Sequence, residues 1–244
     1  FLLLPLLSFL NSVCAASSTS SALSDWAASH SLDLSKVSVR PSSVTSGVGV
    51  FASEDVPEGT QILSLPLASL ALNEDQLFGA GLAASKLGDE DSLLFRVCQA
   101  VVNLDMDAGE ANAAALLLTV FDPQPPPTAQ WIQSWKTYAA AAYPSPSALK
   151  LPLARARDCA STLNGTTLGD LLALRLSRAQ SRLRQLEDYL EEQEIMLPFE
   201  EEDWLWALAL VYSRTHSISF PPPPDSDDGV WHSLPSLMPV ADLF

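Results

Sequence analysis

Histidine and cysteine are scarce in this 244-residue chain, three of each, and their placement excludes most of the chemistry they carry elsewhere. Cys14, Cys98 and Cys159 show no C-x-x-C spacing and have no histidine neighbours, so neither a zinc site nor a disulfide framework is expected. His30, His216 and His232 stand singly, with no His-x-x-x-His or glutamate-flanked pair, and no metal is expected. Ser213 lacks the Gly-x-Ser-x-Gly surroundings of a hydrolase nucleophile. Gly47 and Gly49 are followed by no third glycine opening a helix, which excludes a nucleotide-binding glycine loop. Positive charge is short as well: 13 Lys and Arg against 29 Asp and Glu give a net charge of −16. Nucleic acid is thereby excluded as the main partner, because phosphate binding needs a basic face on the domain as a whole. The apolar run Phe1 to Leu10 is too short to cross a bilayer, so no stable membrane span is expected.

What the chain has in quantity is apolar surface. With 48% hydrophobic residues it can bury a substantial core, as one large domain or one domain with an insertion. Most of its basic residues lie between Lys136 and Arg184, whereas Glu187 to Asp203 is strongly acidic. The basic stretch reads either as a solvated helix face or as a local surface for an acidic protein. Val13-Cys-Ala15 after the apolar run fits small-residue cleavage, and Ala15 to Ser24 is rich in Ser and Ala without acids. Residues 1–22 therefore read as a targeting segment, secretory or plastid, whose basic leading part and initiator methionine would precede Phe1. In a secreted chain Asn164-Gly-Thr166 is a glycosylation acceptor; otherwise it is a turn.

Ordered structure is expected from Leu23, where Leu23, Trp26 and Ala27 mark a short helix ending near Ser29-His30. Lys36 to Arg40 alternates like a strand; Gly47 to Ala52, a Pro57-Glu-Gly59 turn and Ile62 to Pro66 give strand, turn and strand. From Asn73 to Glu202 the pattern is helical. Helices are expected over Ser92 to Asn103, Ala111 to Val120 and Thr128 to Ala142, broken by Asp107-Ala-Gly109 and Pro123 to Pro127. Trp131, Trp135 and Tyr138 share helical spacing and read as core. Leu168 to Leu190 is the clearest helix, with Leu172, Leu176, Ala179, Leu183, Leu186 and Leu190 as its stripe and Thr167 with Asp170 as a capping box. A last helix, after the acids Glu200 to Asp203, carries Trp204, Ala207, Leu208, Val211 and Tyr212 on one stripe and Arg214 at its end. By chemistry alone Arg214 caps that helix and Asp242 opens a loop.

The ordered set of Trp204-x-Trp-Ala, Tyr212-Ser-Arg-Thr and Leu237-Met-Pro-Val-Ala-Asp-Leu-Phe244 resembles the SET-domain methyltransferases of the Rubisco large-subunit methyltransferase type. Trp135-x-x-Tyr138, Tyr143-Pro144 and Leu163 to Leu168 resemble the helical region this family inserts into the fold. The resemblance implies an α+β fold: small SET-type sheets interrupted by a large inserted α-helical lobe. Residues 23–72 would be the first part of the SET domain, 73–202 the insertion and 203–244 a second part that breaks off just before the family's Asn-His pair. It implies S-adenosyl-L-methionine as cofactor, with the backbone of Gly47, Gly49 and Phe51 along it, Arg214 near its carboxylate, and Asp242, Leu243 and Phe244 beside its amino and adenine groups. The catalytic groups, a tyrosine among them, are expected beyond Phe244, so the fragment itself is expected to be inactive. The implied partner is a protein substrate, through a lysine or a histidine side chain, and the chain is expected to be monomeric. Catalysis of this type works by positioning and desolvation, because a lysine amine of pKa about 10.4 must lose its proton before it attacks. The alternative is a non-catalytic SET-like scaffold that binds a protein partner through its helical lobe.

Overall fold

The computed structural model describes residues 21–41, 48–66, 70–122, 130–220 and 232–243, apart from the side chains of Pro41, Gln130, Phe220, His232 and Asp242. The expected targeting segment falls outside these residues except for its last two, which open helix α1 (21–29). Strand β1 (Val37–Pro41) pairs antiparallel with β2 (Val48–Ala52), in the register Val39 opposite Val50 and Arg40 opposite Gly49. Seven helices follow: α2 (Glu74–Lys86), α3 (Leu93–Asn103), α4 (Ala108–Phe121), α5 (Gln130–Ala142), α6 (Ala156–Leu163), α7 (Thr167–Glu191) and α8 (Glu201–Arg214). An antiparallel hairpin of β3 (His216–Phe220) and β4 (His232–Ser236) leads to a 3-10 turn, Ala241–Leu243. The architecture is thus helices with small antiparallel sheets, as the α+β expectation has it.

Local chemistry sets the helix starts. Asn73 and Ser92 accept hydrogen bonds from the amides of Gln76 and Phe95, which satisfies donors that a first helical turn leaves open. Helix α4 begins inside Asp107-Ala-Gly109, a stretch whose composition reads as a break. Asp107 is its N-cap, closing a reciprocal box with Glu110, and a Cβ on Gly109 would lie 2.7 Å from Cε1 of Tyr212. Helix α7 is capped by Thr166 rather than by the expected Thr167 and Asp170. Gly165, at φ +76°, turns the chain one residue earlier than the pattern suggests. Asn164 closes α6 and stays exposed. In α8 the acids Glu201 to Asp203 are the first turn, not a prelude to it, and Asp203 accepts from the Glu200 amide at 3.0 Å. Carboxylates at that end face the positive pole of the helix.

The Pro57 to Gly59 turn forms as expected, with the Thr60 amide donating to the Pro57 carbonyl at 3.1 Å and Gly59 at φ +79°. Residues 62–66, expected as a strand, are not one. Leu63 and Leu65 pack on the core while their neighbours are exposed, so the alternation is present, but no ladder forms along them among the described residues.

Two helices are buried nearly all round: α4 over Ala111 to Thr119 and α8 over Trp204 to Val211. They pack on each other, and α4 also meets α2, α3 and α5. Trp135, Tyr138 and Trp204 are fully buried, so core packing is indeed their place, whereas Trp131 is only half-buried. The α7 stripe is buried as expected except for half-buried Leu176. Two arginines of its basic face, Arg178 and Arg182, are paired within the chain. Arg178 reaches Asp107 at 2.8 Å and Glu110 at 3.0 Å; Arg182 reaches Glu110 at 3.3 Å and donates to the carbonyls of Leu104 and Asp105. Those contacts tie α7 to the start of α4 and the end of α3. No described helix is long and apolar enough to cross a membrane.

Candidate functional site

The candidate cofactor residues come from the two ends of the chain, and the fold brings several of them together. Strand β2 lies against the 3-10 turn Ala241–Leu243. Val48 and Val50 of β2 are half-buried against the core, and Gly49 between them presents backbone without a side chain. The Arg40 guanidinium lies over the Phe51 ring, 4.2 Å from the ring centroid, and the role the resemblance implies falls on the Phe51 main chain. Leu243 is buried at 8% exposure. Gly47 and Phe244 lie outside the described residues, as does the Asp242 side chain.

The closing segment is held from several sides. Leu72 and Leu237 exchange two backbone hydrogen bonds of 2.9 Å. Asn73 donates to Ser236 Oγ at 3.2 Å, and Asn112, fully buried on α4, donates to the Pro235 carbonyl at 2.7 Å. Val240 is fully buried, and its amide donates to the Tyr138 hydroxyl at 2.8 Å. Its φ is +68°. A β-branched residue in that region is an outlier costing roughly 1–3 kcal/mol, and it persists only where the surroundings hold it.

Arg214 ends α8, half-buried, with its guanidinium 5.5 Å from the Tyr143 ring centroid, within cation–π range. Tyr143 meets Tyr138 edge-on at 5.7 Å, and the Trp206 indole donates to the Pro144 carbonyl at 2.8 Å, fixing that loop to α8. Arg214 is therefore joined to the 3-10 turn through Tyr143, Tyr138 and Val240. The two tyrosines are what sequence reasoning misses here. Both carry a signal, but one of core packing and family likeness. Tyr212, exposed, turns instead toward Gly109 and Arg175; partial burial first, then Asp107 and Glu110, pushes its phenol above the usual range.

Other chemistry-bearing groups lie apart from this region. An open groove of about 670 Å³ is lined by Asp25, Trp26, His30 and Ser134 between α1 and α5. There His30 bonds Ser134 Oγ at 2.7 Å and the Trp26 carbonyl at 2.8 Å, while the Trp26 indole donates to the Ser134 carbonyl at 2.9 Å. That network fastens α1 to α5. Among the described residues no three His, Cys, Asp or Glu side chains gather as a metal site would need.

The fold is that of a SET domain. Among solved structures, the SET domain of LSMT bound to lysine and AdoHcy matches with a TM-score of 0.63 and 16% identity, over 93% of this chain and 43% of that one. The likeness that the motifs carry is thus borne out in the fold. No family model and no curated protein sequence matches the chain.

Proposed function

We propose that the chain is the cofactor-binding part of an S-adenosylmethionine-dependent protein methyltransferase, with a lysine side chain as acceptor and histidine as the alternative. The observation that carries this reading is the packing of Ala241–Leu243 against β2, two segments that in the SET-domain methyltransferases face the cofactor. The matched solved structure, a SET domain, holds AdoHcy and lysine. This chain spans 43% of that one, so the activity of a whole protein belongs to the proposal, as do the helical segment 73–202 as an insertion and a monomeric state.

The residues present suit such a cofactor. A guanidinium, Arg214, matches its carboxylate as a charge-assisted donor. The bare backbone at Gly49 permits close approach, because no side chain stands between main chain and ligand. The turn at 241–243 offers further backbone groups. When bound, S-adenosylmethionine supplies a methyl group on a sulfonium; the protein's part is to hold a neutral amine in line with it and exclude water.

The test is a calorimetric titration of AdoHcy into this chain and into the product of the complete reading frame. Saturable binding is expected from the latter, with Arg214→Ala weakening it at least about tenfold, the effect of losing a charged hydrogen bond of about 1.5–3 kcal/mol. Absence of binding in both would overturn the reading and favour a non-catalytic scaffold.

A further inference from the structure

We propose that Tyr138 is a positioning residue for the cofactor site, and that its hydroxyl holds Val240 in the left-handed conformation that aims residues 241–243 at β2. This rests on the methyltransferase reading above and adds to it a residue and a mechanism. Four non-glycine residues among those described have positive φ: Ser31, Asp105, Glu194 and Val240. The first three are polar and stand two or three positions past the ends of α1, α3 and α7, where left-handed residues ordinarily terminate helices. Val240 ends no helix. It is β-branched and fully buried, and it immediately precedes the 3-10 turn.

Something must therefore hold it. The 2.8 Å bond from its amide to the Tyr138 hydroxyl is buried, and so is the phenol. The Tyr138 ring is itself fixed by Trp26 at 4.9 Å, Trp135 at 5.3 Å and Tyr143 at 5.7 Å, the last of which carries Arg214 over its face. One phenol thus stands between the two parts of the candidate site: its ring sets the shelf beneath Arg214, and its oxygen sets the backbone of the turn.

A mutant cycle on AdoHcy affinity tests this in the complete protein. Tyr138→Phe keeps the ring and removes the oxygen, and it should weaken AdoHcy about tenfold, the factor one buried hydrogen bond commands. Val240→Gly makes the left-handed conformation free of strain. In that background Tyr138→Phe should cost less than about twofold, whatever Val240→Gly does to stability. A merely structural tyrosine would lower the melting temperature in both backgrounds and leave the AdoHcy affinity ratio unmoved, which would overturn the proposal, as would an equal loss in both. Should Tyr138→Phe fail to give the native near-ultraviolet spectrum, amide exchange in the unaltered protein decides: protection over 238–243 must rise when AdoHcy is added, and unchanged protection overturns the proposal. No AdoHcy binding by the unaltered protein would instead remove the methyltransferase reading, and this proposal with it.

Discussion

At Cys98 the cost of a buried charge decides reactivity. Burial pushes its thiol up to about 12, because a thiolate between α2 and α3 would lose its hydration. The sulfur contacts the Leu77 carbonyl at 3.1 Å, and a Cβ on Gly81 would come within 2.7 Å of it, so little room is left for a reagent. At pH 8 Cys98 is then overwhelmingly the thiol. Labelling the native protein with iodoacetamide should leave Cys98 unmodified while half-buried Cys159 reacts, and peptide mass spectrometry reads both. Alkylation of Cys98 without denaturant would contradict this packing. The same scale marks where sequence reasoning ends. Arg214 and the 241–243 turn are legible as site candidates from the motifs around them, but Tyr138 is legible only as core, since helical spacing reports which face a side chain takes and not where its hydroxyl ends. The conformation of Val240 cannot be read at all: its side chain disfavours the geometry it adopts, so local preference points the wrong way.

Among the elements, α7 is the easiest to read, because Leu172, Leu176, Ala179, Leu183, Leu186 and Leu190 recur on one face, although Leu168, Leu171 and Leu174 near its start are exposed. Pattern alone shortens helix α4, because burial on every side erases the periodicity and its cap, Asp107-Ala-Gly109, has the composition of a loop. The β3–β4 hairpin is hidden by its connection and by Pro235, which sits within β4 opposite Ser217. Helix α7 also gives the sharpest test. Leu183 is buried mid-helix at 4% exposure, and Leu183→Pro should cost about 3 kcal/mol or more by removing a backbone bond and clashing with the preceding turn. Far-ultraviolet circular dichroism and thermal melting check it; an unchanged profile would mean that α7 does not depend on its own middle.

Over the whole molecule acidic excess dominates, and among the described residues a buried cluster runs from Leu23 to Leu243. The fold class is legible because composition, helical pattern and the closing motif agree; the assembly of the site is not, since it depends on contacts between distant parts of the chain. With a net charge of −16, no retardation of duplex DNA is expected in a gel-shift titration at about 0.15 M salt, where the counterion term that drives nonspecific binding is weak and the field is repulsive. A salt-sensitive complex would show a basic face that the net charge conceals. The junction of Asn73 with Ser236, 163 residues apart, bears on how the chain emerges from the ribosome. Until residues 235–240 have been synthesised, Leu72 and Asn112 lack their backbone partners and the Tyr138 hydroxyl lacks the Val240 amide. Long-range closure of this kind is slow. The helical core must then wait, partly uncovered, until that segment leaves the exit tunnel, and the nascent chain has its greatest need of a chaperone in the interval before it does.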